Sequence, residues 1–193
     1  TVRDRINAGE IDYIDIHLSH VAQHTWFGFF GEVDVAVVEV AGILEGGRLI
    51  PSSSVGNNKT WLEQARQVIL EVNRWQPAAL EGMHDVYYGT ARPPERLPIP
   101  LVNPEDRIGE PYLRVDPAKV VAVVDTDAPD RNSAFAPVDE ASRQIAAHLM
   151  DFFAHERKRG RLGPRLLPLQ SGVGNIANAV LAGLAEAGYR DLA

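Results

Sequence analysis

The strongest constraint on the fold is the near-continuous apolar run Val-Asp-Val-Ala-Val-Val-Glu-Val at residues 33–40. Its β-branched residues favour a strand, and so few polar interruptions are typical of a parallel strand covered on both faces. Residues 120–125 repeat this pattern, and residues 13–18 alternate like a shorter strand. Helical patterns separate these runs. The sequence therefore predicts an α/β fold with a mainly parallel sheet and flanking helices.

Three segments show the apolar spacing of helices. Residues 60–75 are predicted to form an amphipathic helix. Residues 139–158 are predicted to form a long helix with four inward-facing positions: Ile145, Ala146, Leu149 and either Phe152 or Phe153. Residues 175–187 are almost uncharged, so we expect a helix buried on most of its surface, with Gly188 at its C-terminal end. Between the strands, residues 45–51 are predicted to form a small hairpin.

The composition argues against several classes of protein. A net charge of −7 in 193 residues argues against a basic nucleic-acid surface. The absence of cysteine excludes a disulfide scaffold, a thiolate metal site and a cysteine nucleophile. No run approaches the length of a membrane span, and the first residues lack a signal-peptide pattern. The basic residues between 157 and 165 are interpreted as a solvated helix end.

The most informative motif is the glycine-rich turn within residues 170–180. An apolar run leads into Gly172 and Gly174, and a helical pattern follows at once. This order presents backbone N–H groups to an anion. Residues 172–177 also fit Gly-x-Gly-x-x-Ala, the alanine-ended dinucleotide motif. Three interpretations stay open: an anion- or oxyanion-binding turn, a purely structural turn, and an NAD(P)- or FAD-binding turn.

Three other groups of side chains could carry chemistry. His17, His20 and His24 would share one face of a helix, but no nearby carboxylate completes a metal site, so structural or pocket-lining roles are favoured. The serines at 52–54 lack the Gly-x-Ser-x-Gly context of a nucleophile and indicate a hydroxyl-rich turn. Arg131 follows a predicted strand, where sites in α/β proteins gather, or it pairs with a neighbouring aspartate.

Five segments, in this order, resemble the motifs of one family. They are Ile-Asp-Ile-His-Leu-Ser-His-Val at residues 14–21, the strand at 33–39, Pro-Ser-Ser-Ser-Val-Gly-Asn-Asn at 51–58, Asp-Arg-Asn-Ser at 130–133 and Gln-Ser-Gly-Val-Gly-Asn-Ile-Ala-Asn-Ala-Val at 170–180. The chain resembles the acetyl-CoA hydrolase/transferase family of class I CoA-transferases, which includes succinyl-CoA:acetate CoA-transferases. The Gln-Ser-Gly-Val-Gly-Asn stretch is the most specific of the five.

This resemblance implies an enzyme that passes CoA from an acyl-CoA to a small carboxylate through a glutamyl-CoA thioester, with hydrolysis as a side activity in some members. It implies that the backbone N–H of Val173 helps to form the oxyanion hole. Gly172, Gly174, Asn175 and Ile176 would lie along CoA, and Arg131 would lie near the reacting carboxylates. The substrate is then acyl-CoA, with no metal, no nucleic acid and no membrane among the partners.

The resemblance also implies two α/β domains of a class I CoA-transferase-like fold that is incomplete. Residues 1–134 would belong to the first domain and residues 135–193 to the start of the second. The irregular segment 76–119 would be a wall of the site or a homodimer contact, and the expected location is the cytoplasm. Two rival functions stay open: an NAD(P)- or FAD-dependent oxidoreductase and a non-catalytic CoA-binding module.

We predict that the 193 residues alone do not turn over substrate. In the family, the attacking glutamate lies on the strand after the glycine-loop helix, and the sequence ends where that strand is expected to begin. The measurement is CoA transfer from an acyl-CoA to acetate by the isolated chain. Turnover would show that the nucleophile has been placed wrongly.

Overall fold

The computed structural model describes residues 1–131, 137–166, 169–172, 174–190 and 192. These residues form two compact units. The first unit contains Thr1–Ile99 and Ile108–Pro129, and the second contains Pro100–Arg107 and the described residues from Asp130 onward. The domain assignment made from the sequence, 1–134 and 135–193, stays a prediction.

A mixed five-stranded sheet forms the centre of the first unit, with strand order β4-β2-β1-β3-β5. The strands are β1 (Val35–Leu44), β2 (Arg48–Pro51), β3 (Gln67–Asn73), β4 (Leu113–Arg114) and β5 (Val120–Thr126). Strands β1, β3 and β5 are parallel, whereas β2 and β4 add an antiparallel side through the hairpin predicted at residues 45–51. The α/β class predicted from the sequence is therefore confirmed.

Three short helices accompany this sheet: α1 (Val2–Asn7), α2 (Leu18–Trp26) and α3 (Asn58–Gln64). Alternate residues of β1 and β3 meet the helix side of the sheet, and they form the core together with Leu62 of α3. Its most completely buried apolar side chains are Val38, Val40, Leu49, Leu62, Val68, Leu70 and Leu113. Because these residues come from four strands and one helix, removal of any one leaves a cavity that several elements share.

The opposite face of β1 is open. Val37 is 65% exposed, whereas its neighbour Val38 is 1% exposed. The prediction that β1 is parallel to a neighbour is confirmed by its pairing with β3, but the predicted cover on both faces is wrong. The apolar run is consistent with either arrangement, because sequence cannot show whether a layer lies over the second face.

Two other predictions for the first unit are wrong. Residues 13–17 form no strand, and α2 begins at Leu18 directly after them. The helix predicted at residues 60–75 is instead α3, which ends at Gln64, followed by β3. The β-branched residues Val68, Ile69 and Val72 pair between β1 and β5, and periodicity cannot separate a short apolar strand from a buried helix.

The proline-rich segment 76–119 is irregular in most of its length, as predicted, but it is held at defined points. The backbones of Val86 and Glu110 pair in a single antiparallel bridge. Beside this bridge, the Asp85 carboxylate accepts the Gly109 N–H at 2.6 Å. These bonds satisfy backbone groups that a loop would otherwise leave to water.

The second unit is built on two helices, α4 (Glu140–Lys158) and α5 (Asn175–Glu186). They approach closely at Gly183, where an added Cβ would lie 3.5 Å from Met150 Cγ and 3.7 Å from Ala146 Cβ. Farther along, the Arg157 guanidinium lies 5.1 Å from the centre of the Tyr189 ring. The contacts between the two helices therefore continue into the residues that follow α5.

In this unit, the sequence predicted where the helices begin and end better than it predicted which of their residues are buried. Helix α5 ends as predicted, with Gly188 at a φ of 75° directly after the C-cap. Its predicted burial is wrong, because Ile176 and Leu181 are each 51% exposed. On α4, Ala146 is buried as predicted but Ile145 is exposed. The apolar run before the glycines forms no strand at residues 166 and 169–170, and Leu167 and Pro168 lie outside the described residues.

Asp139 caps the start of α4. Its carboxylate accepts the Ser142 N–H at 2.7 Å. This bond, with a further hydrogen bond from the Ser142 side chain, holds the pKa of Asp139 below its usual value. Its negative charge also lies at the positive end of the helix dipole. At the other end of α4, Arg161 pairs with Glu156, and the surrounding basic side chains are exposed, as predicted for a solvated helix end.

We predict that Val38→Ala destabilises the first unit by about 2 kcal/mol, because it removes buried methyl groups and leaves a cavity. The matched control is Val37→Ala on the same strand, which should cost less than about 1 kcal/mol because that side chain is already in water. The measurement is the free energy of unfolding in urea. Equal losses for the two variants would contradict the assignment of the core face.

We predict that Asp139→Ala lowers the unfolding temperature of α4 most above about pH 5 and less as the pH falls. The pKa of Asp139 is lowered in the folded state, so its stabilising effect is complete above the unfolded pKa and is lost as the pH falls through the folded pKa. Asp139→Asn, which keeps the capping acceptor but cannot titrate, is the control. Circular dichroism between pH 6 and pH 2.5 measures both, and a difference between Asp139→Ala and the unsubstituted chain that stays constant with pH would contradict the prediction.

Candidate functional site

The glycine-rich turn leaves the first turn of α5 without a side-chain cap. Gly174 is the N-cap residue, with a φ of 142° and a ψ of 169°, and it makes no side-chain capping bond. That φ favours glycine, because other residues are strained there. Uncapped N–H groups at a helix start, together with the helix dipole, attract an anion.

A pocket of about 860 Å³ opens along this turn and along one side of the helix pair. Apolar side chains of both helices form its walls: Ile145, Leu149, Phe153, Ile176, Val180 and Leu184. Polar groups also line the pocket: Gln170, Ser171 and Asn175 at the turn and Asp139 at the start of α4. The pocket thus combines an anion-attracting end with walls suited to an uncharged, apolar group.

The structure brings together four of the six residues predicted for the site. Gly172, Gly174, Asn175 and Ile176 all line the pocket. Val173, the predicted oxyanion donor, lies outside the described residues. Arg131 is exposed and is not among the described residues that line the pocket. The roles of all six residues stay predictions.

A second group of polar side chains, in the first unit, was not predicted from the sequence. Ser52, Asn73 and Gln76 are buried at the level where the parallel pairing of β1 and β3 ends, and the half-buried Glu39 lies among them. Polar residues at the carboxyl ends of parallel strands are typical of α/β sites. The available signal was Glu39, a charged residue inside the apolar run of β1, but its partners depend on strand order.

The loop at residues 52–58 is a hydroxyl-rich turn, as predicted. The Ser52 hydroxyl is fully buried and accepts the Ser54 N–H at 3.3 Å. After the loop, Lys59 Nζ lies 5.4 Å from the ring centre of Trp26, 5.2 Å from that of Tyr88 and 2.9 Å from a Glu63 oxygen. Burial raises the pKa of Tyr88. These contacts satisfy the Lys59 charge, which favours a structural role for that side chain.

The three N-terminal histidines form a row that begins at His17, the N-cap of α2, and continues along that helix. The ring centres of His17 and His20 are 5.8 Å apart, and those of His20 and His24 are 6.1 Å apart in a stacked arrangement. Phe29 continues the row, with its ring edge-on to His24 at 5.1 Å. Over the residues that the structure describes, no group of three or more histidines, aspartates and glutamates has the arrangement of a metal site.

No helix in the described part of the chain is both long enough and apolar enough to cross a membrane.

Comparison with a family model matches residues 1–125 to the acetyl-CoA hydrolase/transferase N-terminal domain. Among curated proteins, the chain is 44% identical over 191 residues to the succinyl-CoA:acetate CoA-transferase of Clostridium kluyveri. It is 43% identical over 193 residues to an acetyl-CoA hydrolase of Schizosaccharomyces pombe and 41% identical over 185 residues to the propanoyl-CoA:succinate CoA transferase of Escherichia coli. The matches include 99%, 97% and 96% of this chain, respectively.

The chain spans only 35% to 37% of the length of these three relatives. Among solved structures, the 4-hydroxybutyrate CoA-transferase of Porphyromonas gingivalis matches with a TM-score of 0.56 and 21% identity, over 99% of this chain and 38% of that one. At this identity the likeness concerns the fold alone. It agrees with the mixed sheet and flanking helices described above.

The family model spans most of the chain, and the relatives match nearly all of it at more than 40% identity. The five motifs that pointed to one family in the sequence are thus accompanied by similarity along the whole chain. The prediction of the family is confirmed: the chain belongs to the acetyl-CoA hydrolase/transferase family.

Proposed function

We propose that the protein transfers CoA between an acyl-CoA and a small carboxylate, or hydrolyses acyl-CoA as a related activity. The observation that carries this proposal is 41% to 44% identity over nearly the whole chain to relatives named as CoA-transferases and an acetyl-CoA hydrolase. Those names differ in their acyl groups, so we propose small acyl-CoA thioesters as a class. A cytoplasmic location and a homodimer stay predictions.

The glycine-rich turn supplies the oxyanion side of this proposal. Attack on a thioester carbonyl places negative charge on its oxygen, and a fixed N–H donor stabilises that charge without reorganisation. One such donor is typically worth about 3 kcal/mol. We assign this role to the N–H of Val173. Gly172, Gly174, Asn175 and Ile176, which line the adjacent pocket, would contact CoA along its length.

Arg131 supplies the carboxylate side. A guanidinium holds a carboxylate by two parallel N–H···O bonds, which fixes both the position and the orientation of the acid. The exposure of Arg131 supports this assignment, because an incoming acid can approach the side chain directly. The residue also lies in the Asp-Arg-Asn-Ser segment that resembles the family.

The proposed chemistry uses a glutamate that the resemblance places after residue 193. Its carboxylate oxygen attacks the thioester carbonyl and CoA thiolate leaves, which gives a mixed anhydride. The thiolate then attacks the glutamyl carbonyl and releases the first acid, so that CoA is held as a glutamyl thioester. A second carboxylate reverses these steps and departs as the new acyl-CoA. Covalent catalysis thus divides one difficult exchange into easier ones.

We predict that the chain binds CoA in preference to NAD, and that Gly172→Ala weakens CoA binding about tenfold, equivalent to 1.4 kcal/mol. A methyl group at Gly172 meets no described atom within 4 Å in the free chain, so it should leave the fold intact while occupying space beside the ligand. The measurement is isothermal titration calorimetry with CoA and with NAD.

The matched control for this prediction is Gly163→Ala. An added Cβ at Gly163 also meets no described atom within 4 Å, and Gly163 does not line the pocket. Its CoA affinity should equal that of the unsubstituted chain. Tighter binding of NAD than of CoA would instead favour the dinucleotide function, and equal CoA affinity for both alanine variants would contradict the proposed position of the ligand.

A further inference from the structure

One carboxylate, that of Glu39, joins two loops of the first unit through buried amide side chains. Its Oε1 atom accepts Asn73 Nδ2–H at 2.6 Å and Gln76 Nε2–H at 3.3 Å. Asn73 is 2% exposed and Gln76 is 5% exposed. Glu39 is therefore in contact with two amides that water scarcely reaches, in a setting where hydrogen bonds are strong and their loss is costly.

Asn73 holds the chain that follows β5. Its Nδ2 donates to the Ala128 carbonyl at 2.8 Å, and its Oδ1 accepts the Ala128 N–H at 3.1 Å. Oδ1 also accepts the Trp75 N–H at 3.1 Å. The side chain thus uses all of its usual hydrogen-bonding positions. By binding both backbone groups of Ala128, it acts as one further strand residue beside the segment that leads, three residues on, to Arg131.

Gln76 holds the other loop. Its Oε1 accepts the Ser53 N–H at 3.4 Å while its Nε2 points to Glu39. Ser53 is the second residue of the 52–58 loop and follows the fully buried Ser52. Glu39 is therefore one amide away from the 52–58 loop and one amide away from residue 128.

The Glu39 side chain determines which way each amide faces. A carboxylate only accepts hydrogen bonds, so both NH₂ groups must turn toward Glu39. The two amide oxygens then face away, where they accept the N–H groups of Ala128 and Ser53. A neutral amide at position 39 can both donate and accept hydrogen bonds. The Asn73 and Gln76 amides could then face it with either their NH₂ group or their oxygen.

We propose that Glu39 is a positioning residue, which orients Asn73 and Gln76 and thereby holds the 52–58 loop and the segment at residues 127–129 in place together. The inference rests on the proposed function only in treating those two segments as parts of a CoA-transferase site. The hydrogen bonds that carry it lie wholly within the first unit.

The first test is amide hydrogen exchange by NMR on the 193-residue chain carrying Glu39→Gln. We expect exchange of the Ala128 N–H and of the Gln76 side-chain NH₂ to accelerate about fivefold or more, as the loss of about one hydrogen bond implies. Core amides of Val38 and Leu70 should keep their rates. Unchanged exchange at either Ala128 or Gln76 in a folded variant would overturn the proposal.

The matched control is Glu71→Gln. Glu71 is the register partner of Glu39 on β3 and is also half-buried, but its carboxylate accepts the Thr126 hydroxyl at 2.8 Å. Glu71→Gln should leave exchange of the Gln76 side-chain NH₂ unchanged. If it accelerates that exchange as much as Glu39→Gln does, the effect is one of charge in general, and the proposal is overturned. If Glu39→Gln does not fold, the same exchange rates are measured on Glu39→Asp. Its shorter carboxylate should give rates faster than those of the unsubstituted chain and slower than those expected for Glu39→Gln.

The second test separates positioning from general structure and uses acetate as the probe. Acetate is titrated while the Nε–H signal of Arg131 is followed, and we expect Glu39→Gln to weaken binding about fivefold. The control for this test is Glu45→Gln, which removes the same charge at an exposed position outside the Glu39 network and should leave binding unchanged. Equal affinity in both variants would overturn the positioning role. If the unsubstituted chain does not bind acetate, the assignment of Arg131 in the proposed function fails, and the exchange result alone decides the role of Glu39.

Discussion

The parallel pairing of β1, β3 and β5 is the interaction on which the first unit depends. It places Val38 and Val40 beside Val68 and Leu70 on one face, and Leu62 of α3 closes that face. The same pairing brings the last residues of β3 and β5 to one level, where the buried amides of Asn73 and Gln76 meet Glu39. The apolar core and the polar network around Glu39 therefore both depend on the register of these strands. A shift of one strand by a single residue would destroy both.

The second unit depends on the contact between α4 and α5. Gly183 lets α5 approach α4 to van der Waals distance. Apolar side chains of both helices are buried: Ala146, Ala179 and Leu184. Apolar residues that would normally face a core, among them Ile145 and Ile176, remain half-exposed and line the pocket beside the glycine-rich turn.

Sequence patterns predicted the secondary structure correctly where an element depends only on its own residues. The runs at 33–40 and 120–125, the hairpin at 45–51 and the capped helix α4 all follow from local chemistry. They failed at residues 60–75, where β-branched residues pair between two strands instead of continuing a helix, and on the open face of β1. For the candidate site, the glycines were visible in the sequence, but the partners of Glu39 were not, because Asn73 and Gln76 become its neighbours only through strand order.

The outer position of β5 has a consequence for handling the chain in solution. Val121, Val123 and Val124 are all half-exposed on a strand whose far edge has no partner in the described sheet. Unpaired backbone groups on such an edge can template the addition of another strand, and natural sheets often interrupt the edge with a bulge. The register of β5 against β3 is irregular at its start, between Val120 and Ala122, and regular from there to the end of the strand. Here the net charge of −7 opposes that association at a distance. At 0.1 M salt, the repulsion between charges more than about 10 Å apart is largely screened. The chain should therefore associate more readily as the ionic strength rises.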